Sequence, residues 1–209
     1  MRQSLIKKTE LPILIANLAY VVGFGALSVG RKNYEFVIYC AVIIVFLVLV
    51  LLTQRRVGFS RPVLWGLTVW GFLHMAGGHV YVRGTRLYEV VLIPLMRAGD
   101  VTVFRYDHLV HLFGFGVATL VCWHLLQPHL DRGRHGRAVL LVLVVLMGMG
   151  LGALNEVIEL IVSLIVPQSG VGGYYNTAFD LLFNMLGAML AVVWIAEGQR
   201  RQVPSSETS

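Results

Sequence analysis

Charge is scarce in this sequence: Asp, Glu, Lys and Arg make up 13% of its 209 residues, where a soluble globular domain carries roughly a quarter. With 57% hydrophobic residues and a mean hydropathy of +0.75, that shortage excludes an ordinary soluble domain. It points to a polytopic membrane protein forming one compact helical unit. Cysteine is nearly absent. Cys40 and Cys122 both fall inside apolar runs, which excludes a disulfide framework and zinc-type Cys spacing. The formal charge of +6 comes without a basic patch interleaved with aromatics, so nucleic acid is excluded as a partner. Alternation of apolar and polar residues is missing too, which excludes a barrel. No internal repeat is visible, which speaks against a transporter built from inverted halves.

What is present is a set of long apolar runs. Six are long enough for a hydrocarbon core of about 30 Å, which takes roughly 20 residues. They lie near 11–29, 36–53, 63–80, 108–127, 138–166 and 177–196. The expected fold class is therefore all-α: about six transmembrane helices in a single domain over 1–199, with a disordered polar tail at 200–209. The first run follows Lys7 and Lys8 but is longer than a usual signal-peptide core and ends in a poor cleavage site, so it reads as a retained span. Lys and Arg cluster at the ends of the runs. With the N-terminus inside, eleven of the 17 fall on the cytoplasmic side, so both termini are expected there, in a cell (inner or plasma) membrane. The longest connection, 81–106, lies outside. Its stretch "LYEVVLIPLMRAG" is apolar but interrupted by Pro94, as in an interfacial or re-entrant segment.

Against this apolar background the polar residues stand out. The fifth run contains "GALNEVIELIVSLIVP", which puts Asn155, Glu156 and Glu159 inside a segment that faces lipid. A charged side chain at a helix centre costs about 2.5–3.5 kcal/mol on insertion scales, so such residues face the bundle interior and find partners. Helical spacing sets Gly148, Gly152, Asn155, Glu156, Glu159 and Ser163 on one stripe, its small residues allowing close approach. The sixth run carries Asp180 and Asn184 four apart, with Gly187 on the same face. The fourth enters as "YDHLVHLFGFG", with Asp107 and His111 four apart and His108 adjoining. The third ends as "HMAGGHVY", bringing His74 and His79 to the same leaflet, with Gly77 and Gly78 expected to loosen the helix. The outer half thus collects the ionisable groups, and the inner half has almost none.

His and carboxylate are usual ligands for zinc or manganese. They also form general acid–base pairs and proton relays, or a polar network that only fixes packing. The ordered motifs "HMAGGHVY", "YDHLVHLFGFG", "NEVIE" and "YNTAFDLLFNMLGA" resemble a family of bacterial inner-membrane proteins of unknown function that includes YjdF. More distantly they resemble the VanZ-like family, in which an Asp-x-x-x-His span, a Glu in the next span and an Asp-x-x-x-Asn-x-x-Gly span recur in this order. The resemblance covers about 73–191 and singles out Gly77, Gly78, His79, Asp107, His111, Glu156, Asp180 and Gly187. VanZ-like proteins are associated with glycopeptide resistance, which implies envelope lipids or lipid-linked precursors as substrates.

The leading expectation is an outward-facing pocket that binds or processes an envelope lipid head group among membrane lipids. Glu156, Asp107 and Asp180 would be its catalytic groups, and Asn155, Asn184, His79 and Glu159 would contact substrate. His108, His111 and Asp107 would hold a divalent metal, zinc or manganese. The alternatives are a proton-coupled permease and a non-catalytic scaffold.

Overall fold

The computed structural model describes residues 7–99, 101–130, 136–166 and 169–200. Six long helices follow the six apolar runs: α1 (Leu11–Gly30), α2 (Tyr34–Val57), α3 (Arg61–His79), α4 (Tyr106–Leu126), α5 (Arg137–Ile165) and α6 (Tyr174–Arg200). Local chemistry sets their ends. Pro12 and Pro62 occupy the first turns of α1 and α3, where a missing N–H costs nothing. The Asn33 side chain caps α2 by accepting from the Phe36 N–H at 3.4 Å. Gly58 ends the same helix in the left-handed region, at φ +65°, which a residue without Cβ reaches freely. Of the expected polar tail, residues 201–209 lie outside the described residues, and Arg200 ends α6.

Five of these helices, all but α3, are long and apolar enough to cross a membrane. In α3 four Gly, two Trp, Thr68 and two His dilute the aliphatic content. The helices run alternately up and down. At one end Gln54, at the close of α2, donates to Glu10 before α1 at 2.9 Å. Arg137 at the start of α5 bonds the Ala196 carbonyl near the close of α6 at 2.5 Å. This basal end therefore receives both ends of the described chain. At the other end Ser28 of α1 meets His79 of α3 at 2.8 Å.

The connection between α3 and α4 lies at that second end, with one short 3-10 turn at Leu87–Glu89. It forms two short antiparallel hairpins, β1 (Tyr81–Val82) with β2 (Thr85–Arg86), and β3 (Arg97–Ala98) with β4 (Val101–Thr102). Between them Leu92, Ile93, Leu95 and Met96 are exposed, an apolar edge as an interfacial segment would have. Glu35 of α2, itself buried, accepts from the Gly170 N–H at 2.8 Å and pairs with Arg86 at 3.6 Å. That contact ties the first hairpin and the α5–α6 connection to the top of α2.

Glycine is where the helices meet. A Cβ on Gly187 of α6 would collide with the Leu112 carbonyl oxygen of α4 and stand 2.9 Å from the Gly116 nitrogen. On α5, Gly148 accommodates Thr119 and Gly152 accommodates the Asn184 side chain. These close approaches supply the packing that hydrophobic burial cannot supply between helices in lipid. Gly77 and Gly78 do not loosen α3, which continues to His79. Their missing Cβ atoms make room for the Tyr88 and Phe36 rings instead.

Overpacking a helix contact costs about 1–3 kcal/mol. Gly187→Ala should therefore lower the thermal unfolding temperature in detergent. Gly150→Ala, whose Cβ would meet nothing within 4 Å, should leave it unchanged.

Candidate functional site

His111 sits one and a half turns into α4 and is 5% exposed. Around it stand four carboxylates from three helices. Its Nε2 lies 3.6 Å from Asp107 Oδ1, 3.8 Å from Asp180 Oδ1 and 3.9 Å from Glu159 Oε1. Its Nδ1 lies 3.7 Å from Glu156 Oε1 and 3.0 Å from Asn184 Oδ1. Only the Asn184 contact is short enough to be a hydrogen bond. With Nδ1–H donating to Asn184, Nε2 is left facing Asp107, Glu159 and Asp180. A partner on one ring nitrogen fixes which nitrogen is left to bind.

Each helix contributes by simple periodicity. Asp107 and His111 are four apart on α4, and Glu156 and Glu159 three apart on α5. At about 1.5 Å per residue, His111, Glu159 and Asp180 all lie roughly 8–9 Å below the hairpin ends of their helices. Gly152 lets Asn184 in against α5. The amides then orient the acids: Asn155 donates to Glu159 Oε1 at 2.7 Å. Asn176 donates to Asp180 Oδ2 at 2.6 Å and to Asp107 Oδ2 at 3.4 Å.

Four carboxylates and one imidazole make an acid-rich cluster in a medium that penalises unbalanced charge. Both oxygens of Glu156, and Asp180 Oδ1, are buried with no hydrogen-bond partner among the described residues. Two groups offer converging ligand atoms: Asp107, His111 and Asp180, and His111, Glu156 and Glu159. A tetrahedral ion with bonds of about 2.0–2.1 Å would hold its ligand atoms about 3.4 Å apart. The separations around Nε2 exceed that by only a few tenths of an ångström. The donor set, imidazole with carboxylates, suits zinc or manganese.

The structure therefore brings together Asp107, His111, Asn155, Glu156, Glu159, Asp180 and Asn184, and leaves two residues out. His108 is in neither ligand group. Its Nδ1 accepts from the N–H groups of Phe104 and Arg105 at 2.9 and 3.1 Å, and its ring stacks on Phe183 with centroids 4.7 Å apart. It caps α4. His79 is held by Ser28 and by the Met75 carbonyl at 2.8 Å, between the Phe24 and Phe36 rings. It joins α3 to α1.

Two participants were not expected. Asn176 lies four before Asp180, the same i,i+4 spacing that joins Asp180 to Asn184, but just ahead of the last apolar run, 177–196. Tyr88 comes from the turn Leu87–Glu89 and drops into the bundle. Its hydroxyl donates to the His74 carbonyl at 2.8 Å and meets His74 Nδ1 at 2.7 Å. Burial, then the nearby Asp107 and Glu159 carboxylates, push its phenol well above the ordinary range. No sequence pattern announces an inserted loop tyrosine.

A family profile described as "Predicted membrane protein (DUF2238)" matches residues 12–201. The chain belongs to this family. Neither a curated protein nor a solved structure matches it. Family membership and the apolar helices together make it a multi-pass membrane protein, and the match covers every residue of the cluster.

Asn176→Leu would strip Asp180 Oδ2 of its 2.6 Å donor. Leaving a buried carboxylate unsatisfied costs about 1–3 kcal/mol or more, so the variant should unfold at lower temperature in detergent. Tyr174→Phe, on an 82% exposed side chain, should not.

Proposed function

We propose that the cluster is a divalent-cation site that binds the phosphate-bearing head group of an envelope lipid or lipid-linked precursor at the outer face of the cell membrane. The observation that carries this reading is the surround of His111: four carboxylates at non-bonding distance, Glu156 and Asp180 buried with orphaned oxygens and Asp107 and Glu159 partly buried. Asp107, Glu159 and Asp180 each accept from an amide, yet among the described residues both oxygens of Glu156 and Asp180 Oδ1 stay unbonded around a gap of ionic size. Asp107, His111 and Asp180 would hold the cation, which would neutralise the acids and polarise a phosphoryl oxygen.

Glu156 lies on the opposite side of the imidazole. With neither oxygen bonded, it is placed to accept a proton from water or a head-group hydroxyl during hydrolysis or transfer. Asn155 and Asn176 orient Glu159 and Asp180, as outer partners of metal ligands do. By sequence eleven of the 17 Lys and Arg fall on the basal side and six on the hairpin side, which favours the cytoplasmic side for the first and the outer side for the hairpins. The VanZ-like order of Asp107, His111, Glu156, Asp180 and Asn184 supports an envelope substrate by analogy.

Protein purified in detergent without chelator should carry about one zinc or manganese per chain by mass spectrometry, because the two converging ligand groups share His111. Asp107→Ala/His111→Ala should lose it while remaining monodisperse, and Glu156→Gln should keep it. Metal-free wild-type protein would refute the reading.

A further inference from the structure

Beside the cluster an apolar cleft of about 230 Å³ runs between α2 and α5, floored by α1, α3 and α4. We infer that this cleft seats one acyl chain of a membrane phospholipid whose head group reaches the cluster. The inference rests on the head-group reading above and adds which kind of lipid is taken and how it lies.

Position is the first support. Tyr39, His74 and Asn155 line the cleft at one end, and Glu10 and Gln54 at the other. Tyr39 and His74 are each five residues from the hairpin ends of their helices, the depth at which His111 sits. Asn155 belongs to both sites: it lines the cleft, and its amide donates to Glu159 Oε1 of the cluster. The polar mouth of the cleft is thus the edge of the cluster.

Dimensions and shape are the second. From Tyr39 to Gln54 the cleft extends about 22 Å along α2, at about 1.5 Å per residue. That is close to the length of one extended acyl chain and well short of a polyisoprenoid. The basal end is closed: Gln54 is held by Glu10 at 2.9 Å and by the Phe59 carbonyl at 3.3 Å. A side entrance exists, because Phe46 of α2 and Leu154 of α5 line the cleft and are 47% and 49% exposed. A lipid can therefore enter from the bilayer without leaving it.

A chain held this way runs from the cluster past the bilayer midplane, about 15 Å deep. A lipid lying loosely against the helices would end near the midplane. The test uses phosphatidylglycerol with a photoactivatable diazirine on the terminal acyl carbon, reconstituted with the full chain in liposomes. Adducts are mapped by mass spectrometry. The expected result is labelling concentrated at Leu14, Val50 and Leu51, deep in the cleft. Leu154→Trp, which fills the entrance, should lower that labelling about tenfold, equivalent to about 1.4 kcal/mol, and leave metal content unchanged.

Adducts spread over the lipid-facing surface at midplane depth, in a protein that still carries its metal, would overturn the cleft assignment alone. Deep labelling in a metal-free wild-type protein would overturn the head-group reading and keep the cleft. A diazirine-bearing polyisoprenyl phosphate that labels the deep positions in place of phosphatidylglycerol would overturn the choice of an acyl chain.

Discussion

Everything in the upper half of this protein depends on keeping four carboxylates near one imidazole in a medium that does not tolerate unbalanced charge. Asp107, Glu156, Glu159 and Asp180 come from three helices and converge on His111. They converge because α4, α5 and α6 approach closely, and those helices approach because Gly148, Gly152 and Gly187 carry no side chain there. The amides of Asn155, Asn176 and Asn184 then fix the direction of each polar group. The small residues and the acids are two parts of one device: the first make the approach, and the second occupy the space it encloses.

The rest of the chain serves that upper half in two ways. The hairpin connection caps it, with Tyr88 inserted against His74 and Arg86 held by Glu35. The first three helices, which share no acid with the cluster, form a wall against which the apolar cleft opens. Their internal polar bonds, such as Asn17 to Thr68 at 2.7 Å and Tyr20 to Asn17 at 2.9 Å, are closed on themselves. They contrast with the unpartnered oxygens of Glu156 and Asp180 in the cluster.

Much of this was legible in the sequence, because in lipid an apolar run and a helix are nearly the same statement. The convergence of Asp107, His111, Glu156, Glu159 and Asp180 was legible for a related reason: ionisable residues in such runs must face one another. Direction within a helix turn was not. His108 is one turn from His111 in composition and spacing, yet it faces the chain that precedes α4 and serves as a cap. His79 is consumed by Ser28 and Met75. Gly77 and Gly78 read as loosening elements when their real partners, Tyr88 and Phe36, were distant in sequence. Each miss came from a tertiary contact that periodicity does not encode.

The central claim is that the gap around His111 is shaped for a cation. Anomalous diffraction from crystals grown without chelator, recorded across the zinc and manganese edges, addresses it most directly. The account predicts a single peak about 2.0–2.2 Å from His111 Nε2, with Asp107 and Asp180 drawn toward it. An empty cluster, its acids closed onto His111 by direct hydrogen bonds, would contradict the account and leave a polar network that only fixes packing.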